Sequence, residues 1–431
     1  MKKLLIEGGA SLRGRVCISG AKNASLPLMA ASLLTDEPLT LRNVPHLSDI
    51  LRMKELLASF GVEFPSSDEE KTVVLKAQRI TSTRASYDIV SKMRASILVL
   101  GPLLARCRQA CVSLPGGCAI GARPVNAHIE GLRCLGAEIT VAEGYIQARA
   151  PHGLTGATVV LPVVTVTGTE NLLMAATLAK GTTVLKNAAK EPEVSDLVRC
   201  LQAMGAHIEG LGTDTLTIDG CKRLGGVTHN VIPDRIETAT YAVAAALTRG
   251  DVWLDNIVYD DLLSFWVHLA KAGAFIERVP SEAPSGQGHD RVHITMPHDI
   301  QGVDVMTEPY PGFPTDLQSQ FMAFMTLCQG AAMITETIFE NRFMHVPELC
   351  RMSADITLHK SSALVRGVKQ LVGAHVMATD LRASVALVLA GLVAKGTTTV
   401  HRIYHLDRGY EALEEKLCKC GANIERQDDE E

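Results

Sequence analysis

The chain has 431 residues, more than one ordinary hydrophobic core holds, so two or three domains are expected. Apolar residues make up 47% and charged residues 21%, a balance that excludes wholesale disorder. A formal net charge of −5 supplies no global basic field, which argues against a general nucleic-acid binder and leaves any anionic ligand to local positive clusters.

The first apolar run, Lys2-Lys3-Leu4-Leu5-Ile6, is too short for a signal peptide. A Gly-turn strand over Leu12–Ser19 leads to Gly20-Ala21-Lys22-Asn23, which starts an apolar helix, Leu26–Leu34. An amphipathic stretch then ends in FGVEF at Gly61. The second helix is entered through Tyr87–Val90, starts at Lys92-Met93-Arg94 and spans Ala95–Ala105. The loop PGGCAIGARP (115–124) and the phrase LGAEI at Gly136 follow. The third unit runs through LTGATVVL, the start Thr165–Glu170, helix Leu172–Ala179, the strand in KGTTVLKN, and MGAHI at Gly205. The fourth has LGGVTHNV, the start Pro233–Glu237, helix Thr238–Leu247, RGDVWLDN, and AGAFI at Gly273. The fifth has IQGVDVMT, the start Phe313–Asp316, helix Leu317–Leu327, FENRFMHVPEL, and a weaker MSADI at Ser353. The sixth has LVGAHVMA, the start Thr379–Arg382, helix Ala383–Ala394, KGTTTVHR, RIYHLDRGY, and CGANI at Gly421. The acidic tail 427–431 is expected to fray.

The closing phrase recurs every 68–80 residues, so six units tile the whole chain. Each reads β-α-β-α-β, with an apolar, small-residue helix that is buried and an amphipathic helix outside. Three units close around three buried helices, and six give two lobes. The predicted lobes are 22–232, and 1–21 plus 233–431, with the N-terminal strand completing the last repeat. The chain then crosses twice between lobes, the pattern of a hinged cleft.

Six buried helix starts aimed into that cleft would bring free N–H groups and partial positive charge to it. Lys22, Arg94, Arg235 and Arg382 stand at four of the starts, where the helix dipole disfavours a cation. Taken singly, each is a coincidence or a local ion pair, such as Asp380 with Arg382; four together point to an anion site. Cys118 lies in the glycine-rich loop, five residues before Arg123. It is either a reactive thiol or an idle residue in a surface turn. Asp316 caps its helix or does chemistry, His345 is structural or catalytic, and Arg408 ends a capped turn or reaches a ligand. The eleven cysteines show no CxxC and no zinc spacing, so reduced thiols and a cytoplasmic setting are expected. The longest strongly apolar segment, Ser384–Ala394, falls below membrane-spanning length.

The motifs SGAKNASLPLMAA, PGGCAIGARP, PDRIETATY, FPTDLQSQF, ENRFMHVPEL, ATDLRAS and RIYHLDRGY occur in this order. Together they resemble the UDP-N-acetylglucosamine 1-carboxyvinyltransferase family of the enolpyruvyl transferase superfamily, over nearly the whole chain. The resemblance implies an inside-out α/β barrel of two lobes. It implies transfer of the enolpyruvyl group of phosphoenolpyruvate to the 3-hydroxyl of UDP-N-acetylglucosamine, releasing phosphate, as the first committed step of peptidoglycan synthesis. It implies no cofactor and no metal, and no nucleic-acid or membrane partner; the oligomeric state stays open. By the same resemblance Lys22, Arg123 and Arg408 form a phosphate clamp, and Arg342 and Arg382 hold the carboxylate. Cys118 is the proton donor and Asp316 the base at the sugar hydroxyl. Asn23, Arg94, Arg123, Pro124, Val125, Asn126, Ala127, Val163, Val164, Thr165, Val166, Ile338 and Asp380 fall on substrate contacts. One departure is Asn126-Ala127-His128, where the family has Asp-Leu-His, so a charge is lost at 126. Lobe closure with the 115–124 loop as a lid is expected, as is sensitivity to fosfomycin through Cys118. The shikimate-pathway enolpyruvyl transferase, which lacks the PGGC loop, and a non-catalytic nucleotide-sugar scaffold are the alternatives.

Overall fold

The computed structural model describes residues 2–114, 125–281 and 289–429. The described chain is an α/β protein with six separate sheets, five of four strands and one of three. It divides into two compact units, one of residues 20–114 and 125–232, the other of 2–19 and 233–429.

Three of the six sheets follow one plan in full, and the other three vary it. A short strand pairs in parallel with the strand that follows a buried helix, as Thr158–Val160 does with Thr182–Lys186 around the helix Val166–Ala176. An outer helix, here Pro192–Ala203, then leads to an antiparallel pair, His207–Glu209 and Thr215–Asp219. The crossover helix lets the first two strands run parallel, and the hairpin lets the last two run antiparallel.

In the 20–232 unit the core is built on three segments. These are the helix Lys22–Ala31, the 3-10 turn Arg94–Val99 running into helix Leu100–Cys107, and the helix Val166–Ala176. Their small residues allow close backbone approach. Gly101 is the sharpest case: a Cβ there would lie 2.4 Å from both the backbone O and Oδ1 of Asn171. The Gly101 N–H donates to that Oδ1 at 2.7 Å, so the amide side chain satisfies a buried helix-start donor.

In the other unit the helices Arg235–Leu247, Gln318–Met325 and Leu381–Val393 form the core. In the last of these every residue from Arg382 to Leu392 is buried, as expected for a helix that is apolar nearly all round. The outer helices Leu263–Lys271, Val346–Arg351 and Leu413–Lys419 are short and half-exposed.

Two N-terminal strands, not one, complete sheets in this unit. Lys2–Glu7 lies between Thr397–His401 and Asn423–Asp428, antiparallel to both. Arg13–Cys17 pairs in parallel with Asp251–Ile257, the strand after helix Arg235–Leu247. The Gly-turn strand Val227–Asn230 correspondingly pairs with Leu39–Arg42, the strand after helix Lys22–Ala31. These two strands are thus exchanged relative to the helix each directly precedes in sequence.

Candidate active site

In the 2–19 and 233–429 unit, three of the sequence-predicted residues meet. Asp316 lies in the 3-10 turn Thr315–Leu317 that leads into the buried helix Gln318–Met325. Its Oδ1 accepts from Arg342 Nη2 at 2.6 Å and its Oδ2 from Arg382 Nη2 at 3.1 Å. The two arginine side chains are only 5% and 2% exposed, while that of Asp316 is 26% exposed. A carboxylate accessible to solvent therefore rests on two buried guanidinium groups, the geometry of charge-assisted pairing.

Arg382 sits in the first turn of helix Leu381–Val393. The local ion pair open to Asp380 and Arg382 takes another form. The Asp380 carboxylate caps the helix, accepting from the backbone N–H of Arg382 at 2.8 Å and of Ala383 at 3.0 Å. The guanidinium is left for Asp316, and its Cζ lies 5.4 Å from the ring centroid of Tyr410. Among the described residues its Nε and Nη1 have no hydrogen-bond partner. Burial opposes its charge, but Tyr410, Asp316 and Asp234 outweigh burial and keep it protonated. Tyr410 is fixed in turn, its hydroxyl lying 3.1 Å from Thr240 Oγ1 and accepting from Gln320 Nε2 at 3.2 Å. Burial pushes the phenol up, so it stays neutral.

Arg342 reaches Thr315 Oγ1 with Nη1 at 2.9 Å. The Ile338 N–H donates to Glu336 Oε1 at 2.8 Å. Arg408 ends the 3-10 segment Ile403–Arg408, two residues before Tyr410, and is half-buried. His345 is buried, with Nε2 3.2 Å from Met322 Sδ, and precedes helix Val346–Arg351, whose first turn holds Pro347. Burial, with Arg342 acting the same way, lowers it to about 4 despite Asp380. A neutral, enclosed imidazole supports its structural reading.

In the 20–232 unit, Lys22 opens the helix Lys22–Ala31 and is buried, with Nζ 3.6 Å from Asp49 Oδ2. Asn23 follows it, half-buried. Asp49 is itself buried and lies 3.7 Å from Arg52 Nη1. A second group of residues gathers around His128. Asn126 and Ala127 open the helix Asn126–Cys134, with Val125 before it. Val163 is 63% and Val164 38% exposed, just before Thr165, which caps helix Val166–Ala176 by accepting from Gly168 N at 3.3 Å. His128 ties these two helix starts together. Its Nδ1 accepts from Asn171 Nδ2 at 2.9 Å, and its Nε2 lies 3.4 Å from Thr167 Oγ1. Burial and then the Arg94 charge lower it to about 4, so the ring is neutral and carries its proton on Nε2.

Cys118, Arg123 and Pro124 lie outside the described residues. Sequence reading gave no role to Asp49, Thr315, Gln320, Glu336 and Tyr410, which are partners of named site residues, or to Asn171, which holds His128. Thr315, Gln320 and Tyr410 do lie inside quoted motifs, but nothing in a linear motif tells which side chain supports which. Among the described residues no group of three His, Cys, Asp or Glu could hold a metal ion, and no helix is long and apolar enough to cross a membrane.

A family model described as EPSP synthase (3-phosphoshikimate 1-carboxyvinyltransferase) matches residues 6–417. Among solved structures, the enolpyruvyl transferase NikO from Streptomyces tendae superposes with a TM-score of 0.87 at 24% identity, covering 99% of this chain and 98% of its own. An EPSP synthase from Acinetobacter baumannii gives 0.79 at 19% identity, covering 99% and 100%. At these identities the two structures speak for the fold alone. The UDP-N-acetylglucosamine 1-carboxyvinyltransferase of Rhodospirillum centenum is 59% identical, covering 99% of each chain, and that of Granulibacter bethesdensis is 57% identical, also covering 99% of each. With full-length identity at this level, the chain belongs to the UDP-N-acetylglucosamine 1-carboxyvinyltransferase family of enolpyruvyl transferases.

Proposed function

We propose that this chain transfers the enolpyruvyl group of phosphoenolpyruvate to the 3-hydroxyl of UDP-N-acetylglucosamine and releases phosphate. The reaction is the committing step of peptidoglycan synthesis. The observation that carries this reading is Asp316 held between Arg342 and Arg382. A base for a sugar hydroxyl must be ionised and reachable, and a substrate carboxylate needs fixed guanidinium donors. Here both groups meet in one cluster.

In the proposed reaction the Cys118 thiol protonates the methylene carbon of phosphoenolpyruvate, leaving a cationic carbon at C2. Asp316 removes the proton of the sugar 3-hydroxyl as its oxygen bonds to C2. In the resulting tetrahedral phospholactoyl adduct, the methyl group then gives its proton back to the Cys118 thiolate while the bond from C2 to the phosphate oxygen breaks, and the departing phosphate takes up the proton held by Asp316. Phosphate leaves and the enol double bond re-forms, so atoms and charge balance without redox chemistry. Lys22, Arg123 and Arg408 neutralise the phosphate, and Arg342 and Arg382 hold the carboxylate. An incoming carboxylate shares these guanidinium groups with Asp316 and frees one of its oxygens to accept the hydroxyl proton. On the nucleotide-sugar side we assign Asn23, Arg94, Val163 to Val166, Ile338 and Asp380, together with Val125 to Ala127. Asn126 offers a neutral amide there. We read each unit as one half of an inside-out barrel, the halves being 22–232 and 1–21 plus 233–431. The ten described cysteines are all free thiols, which suits a reducing cytoplasm.

The test is phosphate release from phosphoenolpyruvate with UDP-N-acetylglucosamine or with shikimate 3-phosphate as acceptor. Turnover with the nucleotide sugar alone is expected. Turnover with shikimate 3-phosphate alone overturns the assignment, and no turnover with either favours a binding scaffold.

A further inference from the structure

Glu336 touches no substrate in the reaction proposed above, yet its carboxylate is bonded to the parts that do. It is 2% exposed. Its Oε1 accepts from Thr307 Oγ1 at 2.9 Å, from the Ile338 N–H at 2.8 Å and from the Phe339 N–H at 3.1 Å. Its Oε2 accepts from Thr315 Oγ1 at 2.8 Å.

The Thr315 hydroxyl has a single proton, and Glu336 takes it. The hydroxyl's lone pairs therefore face Arg342, whose Nη1 donates to it at 2.9 Å. The other arm of the same guanidinium donates to Asp316 at 2.6 Å. A continuous relay thus runs from Glu336 through Thr315 and Arg342 to Asp316, and a second branch from the same carboxylate fixes the backbone at Ile338. Four donors converge on one group, which only an acceptor-only carboxylate satisfies; an amide of the same shape would turn its own NH2 against some of them.

We propose that Glu336 is the positioning residue that orients Arg342 toward Asp316 and sets the Ile338 backbone on the nucleotide-sugar side. This rests on the reading of Asp316 as the base. Thr315 is the element through which the first of these effects passes.

The test is steady-state phosphate release with thermal melts for Thr315→Val, Thr315→Ser, Glu336→Gln, the Thr315→Val/Glu336→Gln pair and Asp316→Asn. Misplacing a reactive group by about 1 Å costs up to about a hundredfold, so Thr315→Val and Glu336→Gln should each lower kcat about ten- to a hundredfold. Thr315→Ser, which keeps the hydroxyl, should restore turnover. The pair should lose no more kcat than Glu336→Gln alone. Only Glu336→Gln should raise KM for UDP-N-acetylglucosamine, because Thr315→Val leaves the Ile338 branch intact. If Glu336→Gln fails to fold, the Val and Ser variants at 315 decide. Wild-type kcat in Thr315→Val, or losses that simply multiply in the pair, overturns the proposal. If Asp316→Asn is inactive in that case, only the relay has failed; if Asp316→Asn turns over normally, the base assignment has failed and the proposal with it.

Discussion

Arg342 Nη2 donates to Asp316 Oδ1 across 2.6 Å, joining the turn before one buried helix to the turn before an outer one. Asparagine at 316 would keep the shape and lose the capacity to take a proton. Asp316→Asn should lower kcat by at least about a hundredfold, the usual scale of a positioned general base. Both KM values should change far less. Phosphate-release kinetics at saturating substrates will show this.

Arg382 is enclosed, and its charge is balanced by Asp316 on one side and the Tyr410 ring on the other. Lysine cannot reproduce a planar fork with several donors. Arg382→Lys should therefore raise KM for phosphoenolpyruvate about tenfold or more while KM for the nucleotide sugar stays close to the wild-type value. Arg382→Ala leaves Asp316 solvent-accessible and still paired with Arg342, so it should cost about 2 kcal/mol of stability, the scale of one hydrogen bond to a charged group, read from denaturant unfolding.

His128 and His345 are both lowered to about 4 by burial, from an ordinary value of 6.5. The unfolded chain therefore binds protons at these positions between about pH 6.5 and 4, and the folded chain does not. Stability is complete above pH 6.5 and falls as the pH drops toward 4, by up to about 3 kcal/mol for each histidine. Melting temperatures measured across that window should decline, and His345→Gln should flatten part of the slope.

The reactive thiol is expected at Cys118. Burial pushes Cys200 up to about 12 and also raises Cys107, Cys221, Cys328 and Cys420, which makes these poor nucleophiles at neutral pH. Peptide mapping after fosfomycin treatment should find the adduct at Cys118. A Cys118→Asp variant should remain unmodified, and alkylation of that variant would contradict the assignment.

Gly101 leaves no room for a methyl group against Asn171. Gly101→Ala should cost about 2 kcal/mol through overpacking. It would also push on the Asn171 side chain that fixes His128. Unfolding midpoints, together with KM for UDP-N-acetylglucosamine, will test both effects.

Much of the secondary structure was legible because it repeats. A buried helix surrounded by protein must be apolar on all sides, so Leu381–Val393 and Arg235–Leu247 stand out in a linear reading, to within a few residues at their starts. The positions of Lys22, Arg94, Arg235 and Arg382 at helix starts were legible for the same reason, since a cation there runs against the helix dipole.

The pairing of the Gly-turn strands was not legible. The repeat count gives the Gly-turn strand Leu12–Ser19 to the last repeat, but Arg13–Cys17 joins Asp251–Ile257 of the fourth unit, and Lys2–Glu7 enters the last sheet instead. Equivalent strands of the repeats carry similar short patterns, and backbone hydrogen bonds do not discriminate between equivalent edges, so only the packed unit selects one. The site divides in the same way. Sequence named Asp316, Arg342 and Arg382 as chemistry-bearing types, whereas tertiary structure paired the first with the other two. It also turned Asp380 to the helix backbone and buried Glu336 beneath Thr315. Residue type fixes what a side chain can donate or accept; which partner it finds depends on contacts between segments far apart in the chain, and those exist only once the core has formed.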